Sequence, residues 1–191
     1  YDALDRLTQV TDAKGGQAAY GYDAVGNRTS ITDPNHVTST ITYDNLNRPT
    51  SQTNPTTGNA AFAYDNAGNL LSKTDGNGNV TKYVYDKANQ LITANYPEGT
   101  VAYTYDGAGD RVSMTDPTGA TNYRYDGARR LTANAAPGAT TSYVYDTAGN
   151  LKSVTYPADS ELTGAHVVSY SYDSLNRVTG IADWNGGTTS Y

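Results

Sequence analysis

The feature that most constrains the fold is a Tyr-Asp pair that returns along the whole chain at nearly constant spacing. Tyr-Asp begins at residues 1, 22, 43, 64, 85, 105, 125, 145 and 172, so the intervals are 21, 21, 21, 21, 20, 20, 20 and 27 residues. Self-similarity at a short fixed period is typical of repeat architectures, in which each repeat is one supersecondary unit. The sequence therefore predicts a single array of about nine repeats over residues 1–191, as a fragment of a longer array.

A turn signature follows each Tyr. With the Tyr as position one, position four is apolar, and position five is Gly, Asn or Asp in eight of the nine copies. These three residue types tolerate a positive φ, so a left-handed residue is expected at position five. Arg129 is the exception, and there we expect either backbone strain or a different turn. The Asp at position two is predicted to cap N–H groups two or three residues ahead.

Two alternating segments complete each repeat. In the segment 69–75, Leu70, Ser72 and Thr74 occur at period two and are expected on one face, as in a β-strand. A second turn follows, for example at 116–119, where Asp opens a type I turn, Pro comes next and Gly closes it. The returning segment places Thr, Tyr and Tyr on one face. Each repeat is therefore predicted to be an antiparallel hairpin, and consecutive hairpins are predicted to form one meandering sheet.

Tyrosine has to supply most of the buried area. Apolar residues make up only 37% of the chain, which has eighteen Tyr but one Phe and one Trp. Two tyrosines at spacing two, such as Tyr83 and Tyr85, are expected to share a face and stack against neighbouring strands. We expect their rings to lie beside the small residues Ser72, Ser113 and Ser153, with each hydroxyl near water or a hydrogen-bond partner.

The predicted fold class is all-β: tandem antiparallel β-hairpin repeats of 20–21 residues that form a continuous, curved and spiralling sheet. Roughly eighteen strands spaced by about 4.8 Å would span on the order of 86 Å. Adjacent strands rotate relative to one another, so a sheet of that width is expected to coil or close.

Composition excludes several kinds of partner. The net charge of −6 argues against nucleic acid, because binding to phosphates depends on clustered Lys and Arg. The chain has no Cys, which excludes disulfides and thiolate metal sites. No apolar run reaches the length of about 18 residues typical of a membrane span, so no membrane insertion by this segment is expected.

No catalytic, cofactor-binding or metal site is predicted. His36 and His166 have no nucleophile at a recognised spacing, and both are interpreted as solvated loop histidines. Residues 75–79 resemble the start of a calcium loop, but Val80 occupies the place where an EF-hand needs Gly, so a hairpin turn is preferred. The enlarged hairpin segment 156–169 is interpreted as a tolerated insertion, with a contact site as the alternative.

Three stretches carry a resemblance to a known family: YDAVGNRTSITDP (22–34), YDNAGNLLSKTDGNG (64–78) and YDTAGNLKSVTYP (145–157). They resemble the YD-repeat or RHS-repeat family, and the resemblance covers the whole chain. It implies a long β-strip that spirals into a hollow shell. In bacterial RHS toxins and toxin-complex C components such a shell encloses a C-terminal toxic domain, whereas teneurins use a similar shell for adhesion. The family's autoproteolytic motif resembles residues 116–120, which we interpret as an ordinary turn.

Two functions follow from this resemblance. The first is a structural wall segment of a β-shell that encapsulates a polypeptide cargo in a secreted or surface protein. The alternative is an extracellular adhesion or carbohydrate-binding scaffold. The expected partners are other repeats of the same larger protein, an enclosed cargo and, for the alternative, surface glycans. Neither function is enzymatic and neither implies a cofactor.

The residues predicted to matter are the Tyr and Asp of each turn and the glycines at position five. They are Tyr22, Asp23, Gly26, Tyr43, Asp44, Tyr64, Asp65, Gly68, Tyr85, Asp86, Tyr105, Asp106, Gly109, Tyr125, Asp126, Tyr145, Asp146, Gly149, Tyr172 and Asp173.

Overall fold

A computed structural model of the chain describes residues 1–158 and 166–191. All regular elements in these two ranges are β-strands, and they number eighteen. The described residues therefore include no helix long and apolar enough to cross a membrane. The chain divides into two compact units, Tyr1–Thr100 and Val101–Tyr191, which are described separately.

The first unit is an antiparallel meander in which each strand pairs with the next one along the chain. Its strands are β1 (Gln9–Thr11), β2 (Gln17–Tyr22), β3 (Arg28–Thr32), β4 (Thr38–Tyr43), β5 (Pro49–Thr53), β6 (Ala60–Tyr64), β7 (Leu70–Thr74), β8 (Val80–Tyr85) and β9 (Leu91–Tyr96).

The second unit repeats this arrangement, with β10 beginning at the boundary. Its strands are β10 (Gly99–Tyr105), β11 (Arg111–Asp116), β12 (Gly119–Tyr125), β13 (Leu131–Ala136), β14 (Ala139–Tyr145), β15 (Leu151–Tyr156), β16 (His166–Tyr172), β17 (Val178–Ala182) and β18 (Thr188–Ser190). The predicted all-β class of antiparallel hairpin repeats is confirmed.

A β-bulge accompanies the Tyr-Asp turn in eight hairpins, those whose first strand ends at Tyr22, Tyr43, Tyr64, Tyr85, Tyr105, Tyr125, Tyr145 or Tyr172. In the β6–β7 hairpin, Tyr64 pairs with Leu70 but Ala63 pairs with Ser72, which leaves Leu71 as the extra residue. An extra residue in one strand moves the residues beyond it to the other face of the sheet.

The bulge overturns the prediction that tyrosine rings lie beside Ser72, Ser113 and Ser153. Ser113 is opposite Thr104 in one neighbouring strand, and their hydroxyls are 2.7 Å apart. Since Thr104 lies between two tyrosines of its strand, Ser113 is on the face away from them. Ser72 and Ser153 occupy the same place in their own hairpins.

The tyrosines instead face residues one position further along the strand. Tyr83 lies opposite Ala94 and Tyr143 opposite Val154. Ala94 is 1% exposed and Val154 is 4% exposed, and they are the buried apolar residues of the first and second unit in the part that the structure describes. Tyrosine rings packed around a few small side chains thus take the place of a layered core.

The second turn of the repeat occurs in two lengths, which explains the two repeat intervals. In three of the four 21-residue repeats it resembles residues 33–37, where the Asp33 N–H donates to the Val37 carbonyl at 2.9 Å; in the repeat that starts at Tyr43, the Gly58 N–H instead donates to the Asn54 carbonyl. In the 20-residue repeat that starts at Tyr105, Asp116 pairs directly with Gly119 across two residues. The predicted turn at 116–119 is therefore confirmed, and the short form removes one residue from the repeat.

The enlarged hairpin segment 156–169 joins β15 to β16, with Tyr156 opposite His166. The alternative of a contact site concerns residues 158–165, and of these, residues 159–165 lie outside the described residues. The interpretation of His166 as a solvated loop histidine is wrong, because His166 begins β16 and is 7% exposed. Its ring stacks on Trp184 at a centroid distance of 5.0 Å, and Trp184 also contacts Tyr156 edge-on at 6.1 Å.

Candidate functional site

All nine Tyr-Asp turns, called YD turns below, are closed by the same two main-chain hydrogen bonds. In the turn at Tyr64, the Asp65 N–H donates to the carbonyl of Asn69 at 2.9 Å, and the Gly68 N–H donates to the carbonyl of Asp65 at 3.2 Å. This pattern requires a left-handed residue at position five. The prediction for that position is confirmed at Asp5, Gly26, Asn47, Gly68, Asn89, Gly109, Arg129, Gly149 and Asn176.

Arg129 adopts the same turn as the others, with φ of 62°. Of the two expectations for this residue, the different turn is therefore wrong. A long side chain at positive φ carries a conformational cost. A bidentate ion pair offsets it, because Nε and Nη2 of Arg129 each lie 2.8 Å from a carboxylate oxygen of Asp110 in the preceding YD turn.

The turn aspartate accepts hydrogen bonds from two N–H groups through one carboxylate oxygen. Oδ1 of Asp44 accepts from the N–H of Leu46 at 2.9 Å and from the N–H of Arg48 at 3.0 Å. The predicted cap two residues ahead is present, whereas the second partner lies four residues ahead rather than three. The Arg48 side chain and these N–H groups hold the pKa of the Asp44 carboxyl below its ordinary value.

The second oxygen of this carboxylate binds the side chain at position six. Arg48 donates to Oδ2 of Asp44 at 2.8 Å through Nε, and Asn69 donates to Oδ2 of Asp65 at 2.9 Å. Both carboxylate oxygens are therefore engaged within the turn. The same holds for Asp75, whose oxygens accept from the N–H of Asn77 and from the main chain and side chain of Asn79. The geometry at residues 75–79 is that of a hairpin turn.

At least six YD turns are also tied to the YD turn before them through the tyrosine hydroxyl. The hydroxyl of Tyr145 donates to the carbonyl of Leu131 at 3.0 Å, which lies just after the preceding YD turn. Burial raises the pKa of the Tyr85 hydroxyl, so this donor keeps its proton. The tyrosines that make this bond are Tyr22, Tyr43, Tyr85, Tyr125, Tyr145 and Tyr172.

Arginine at position six adds a second tie between neighbouring turns. The guanidinium carbon of Arg48 lies 4.6 Å from the ring centroid of Tyr64, in the next YD turn. Nη1 of Arg48 also donates to the carbonyl of Asp65 at 3.1 Å. A cation over a tyrosine ring is attracted by the electrons of the ring face. Arg6 over Tyr22 and Arg130 over Tyr145 repeat the ring contact at 4.8 and 4.5 Å.

Where position six is Asn, an amide bridge replaces the guanidinium. Nδ2 of Asn27 lies 2.8 Å from Oδ1 of Asn47, which occupies position five of the next YD turn. The pairs Asn69–Asn89 and Asn150–Asn176 form the same bridge at the same distance. Neighbouring YD turns are thus joined side chain to side chain along one edge of each unit.

This edge is the candidate functional site, and its chemistry is that of an interface between repeats. The sequence predicted the Asp as a turn former and position five as left-handed, and both lie in the turn of every repeat. It missed position six and the partner of the tyrosine hydroxyl. The available signal was the recurrence of Arg and Asn at position six. Among the described residues, no three His, Asp or Glu side chains are grouped to hold a metal ion.

Comparison with known families and structures agrees with this geometry. A family model described as "Teneurin YD-shell" matches residues 1–121. No curated protein sequence matches the chain. Among solved structures, the TcdB2-TccC3 complex without its hypervariable C-terminal region is 18% identical with a TM-score of 0.71, over 85% of this chain and 10% of that chain.

Two further structures give the same result. The TcdB2-TccC3 complex is 14% identical with a TM-score of 0.65, over 87% of this chain and 12% of that chain. The Photorhabdus luminescens Tc holotoxin pore with a TccC3 variant is 17% identical with a TM-score of 0.52, over 100% of this chain and 14% of that chain. At these identities the match concerns the fold, and the chain spans about a tenth to a seventh of each matched protein.

Proposed function

The chain belongs to the teneurin YD-shell family, and from this premise we propose that it is one section of a shell wall that encloses a polypeptide cargo. In this proposal the cargo is a toxic C-terminal domain of the same larger protein, which acts in a secreted or surface-exposed state. The segment itself has no catalytic role. Its mechanism is exclusion: a continuous wall with paired strands keeps proteases and premature partners away from the cargo.

The observation that carries this proposal is the connection of neighbouring hairpins by side chains as well as by strand pairing. The tyrosine hydroxyls and the position-six side chains bridge adjacent YD turns within each unit. A wall of single thickness has no second layer to hold its hairpins together, so such ties resist the opening of gaps between repeats. One matched complex is described as lacking its hypervariable C-terminal region, so a variable C-terminal polypeptide belongs to that protein.

Limited proteolysis of the larger protein tests the proposal. The C-terminal polypeptide should survive in the intact protein at a protease concentration that digests the same polypeptide expressed alone. Gly26→Val forces a β-branched residue to a φ of 98°, so it should open the wall locally and accelerate digestion. Gly127→Val is the matched control, since that glycine has no positive φ and no atom within 4 Å of an added Cβ. Equal digestion of free and enclosed polypeptide would contradict enclosure.

A carbohydrate-binding scaffold is the second candidate, and one local feature favours it. Trp184 is 43% exposed and Tyr156 is 41% exposed, and they meet beside the buried His166. The Nε2 of His166 is the one buried side-chain polar atom without a hydrogen-bond partner in the described ranges. The tyrosines of the YD turns are poorer platforms, because their hydroxyls and several ring faces are already occupied. Loss of glycan binding in Trp184→Ala, with unchanged folding, would support this candidate.

A further inference from the structure

The residues that meet between neighbouring YD turns vary together along the chain. Position six of one turn contacts the next turn, and seven such junctions lie within the two units. Asn and Asp at position six reach position five of the next turn, whereas Arg lies over the tyrosine ring of that turn. Arg at position six is followed by Gly at position five, Asn is followed by Asn, and Asp is followed by Arg. The pairs are Arg6 with Gly26, Asn27 with Asn47, Arg48 with Gly68, Asn69 with Asn89, Asp110 with Arg129, Arg130 with Gly149, and Asn150 with Asn176.

At two of the three Arg–Gly pairs the guanidinium lies in contact distance of the position that a Cβ on the glycine would occupy. At Arg48 the guanidinium lies over Tyr64 and reaches the carbonyl of Asp65. A Cβ added to Gly68 would lie 3.9 Å from Nη1 of Arg48, and the corresponding distance from Gly149 to Nη1 of Arg130 is 3.6 Å. The space beside Gly26 is more open, with no atom within 4 Å of an added Cβ. At Gly68 and Gly149, a side chain that extends beyond Cβ would compete with the guanidinium for the same volume.

In the Asn–Asn pairs, two short side-chain amides form the contact between neighbouring turns. Asn47 has φ of 61°, a conformation that Asn tolerates, and its Oδ1 accepts from Asn27. No guanidinium covers the tyrosine here. A groove of about 720 Å³ remains between the turns of Asp23 and Asp44, and one of about 470 Å³ lies beside Tyr145 and Tyr172. The Asn27–Asn47 junction is therefore open beside Tyr43, whereas at the Arg48–Gly68 junction the guanidinium covers the ring of Tyr64.

The Asp–Arg pair reverses the polarity of the contact. The N–H of Asp110 donates to Oδ1 of Asp106 at 2.9 Å, but the Asp110 side chain cannot bind that carboxylate as Arg or Asn does, because both groups are negative. It binds forward instead, and the next turn supplies Arg129 as a bidentate donor. The pKa of the Asp110 carboxyl is held below its ordinary value by this hydrogen-bonded Arg129. Three different pairs of residue types thus occupy the same junction.

We propose that positions six and five form a matching rule by which each repeat selects the repeat that packs against its YD turn. The interaction surface is the face of one YD turn, and its partner is a YD turn with the matching residue. Arginine requires glycine, asparagine requires asparagine, and aspartate requires arginine. The rule concerns the order in which repeats associate, and it holds for an enclosing wall and for an adhesion scaffold alike.

A double-mutant exchange in this chain tests the rule. Arg48→Asn and Gly68→Asn each create a mismatched junction, and together they create an Asn–Asn junction. Native-state hydrogen exchange is followed at the amides of Asp65 and Asn69, which are hydrogen-bonded within the affected turn. Each single variant should lose protection by about fivefold, and the double variant should return to within about twofold of the original chain. If the losses in the double variant multiply instead, the rule is wrong.

A reverse exchange and a control variant complete the test. The reverse exchange, Asn27→Arg with Asn47→Gly, should behave in the same way at the turn of Asp44, and it remains informative if Gly68→Asn fails to fold. Arg177→Asn is the matched control, because Arg177 pairs with Asp173 as the other arginines pair within their turns but its side chain is 73% exposed. That variant should change protection of the Asp173 turn only slightly. A loss as large as that of Arg48→Asn would mean that the effect arises inside the turn and not at the junction.

Discussion

The tyrosine hydroxyl offers the most direct test of the ties between repeats. Tyr145→Phe removes one oxygen atom and keeps the ring under Arg130, whose guanidinium lies 4.5 Å from the ring centroid. The lost interaction is the half-buried hydrogen bond to the carbonyl of Leu131 at 3.0 Å. A net hydrogen bond of this kind contributes about 0.5–1.5 kcal/mol. We therefore expect the variant to lose about 1 kcal/mol of unfolding free energy, or about 2–4 °C in Tm for a chain of this size.

The assay should resolve individual repeats, because repeat arrays do not always unfold as one cooperative unit. Hydrogen exchange at the amides of the turn that begins at Tyr145 should accelerate, while exchange in the first unit stays unchanged. Tyr1→Phe is the control, since that side chain is 82% exposed. If Tyr145→Phe exchanges at the same rate as the original chain, or if Tyr1→Phe has an equal effect, the hydroxyl does not tie the repeats together.

The remaining predictions concern backbone strain, acid and salt. Gly149→Val should lower the free energy of unfolding by about 1 kcal/mol to a few kcal/mol, because φ is 94° at that position. Gly107→Val should lower it only slightly, because Gly107 has no positive φ and no atom within 4 Å of an added Cβ. Hydrogen bonds lower the pKa of turn aspartates such as Asp126 in the folded state. Their contribution to stability should therefore be complete above the unfolded pKa of about 3.9 and be lost as the pH falls through the folded pKa. Asp126→Asn should make Tm depend less on pH in that range. Arg129→Asn should destabilise the chain at low ionic strength, because it removes the ion pair with Asp110. At about 1 M salt that pair is screened and the positive φ favours Asn, so the substitution should become neutral or stabilising. Thermal melts in which the salt dependence is the same for the variant and the original chain would contradict this prediction. Circular dichroism should show strand and almost no helix, and substantial helix would contradict the fold.

The turns were the part of the fold that the sequence predicted best. Position five is left-handed in all nine YD turns, and this was readable because Gly, Asn and Asp share a tolerance of positive φ. Hairpin type and strand order followed from the period and from the second turn. The preference for a positive φ is a property of a single residue type, so it can be predicted without knowing which residues pack against the turn.

The assignment of side chains to the two faces of the sheet was predicted less well, because no characteristic residue type marks the β-bulge in the sequence. Leu71 is an ordinary apolar residue in an alternating segment, yet it is the extra residue that moves Ser72 away from the tyrosines. His166 shows a similar limit. Its burial depends on Trp184, which belongs to the next YD repeat and comes eighteen positions later in the chain.

The ties between turns were missed for a related reason. The sequence pattern was compared only within single repeats, whereas the side chain at position six also contacts the next repeat. Arg48 bonds to Asp44 in its own turn and to Tyr64 and Asp65 in the next. A comparison of each position six with the next position five would have revealed the pairing in the sequence itself.

The claim that this segment walls off a cargo is tested most directly by the accessibility of its two faces. The chain has no Cys, so an introduced cysteine is the segment's only thiol. Lys73 lies on the face of the tyrosines, opposite Thr81, and Val84 lies on the other face, opposite Thr93. Lys73→Cys and Val84→Cys are each treated with a bulky polymer-linked maleimide, in the isolated segment and in the larger protein. A closed wall predicts that both react in the segment and only one reacts in the larger protein, whereas comparable labelling of both in the larger protein would contradict enclosure.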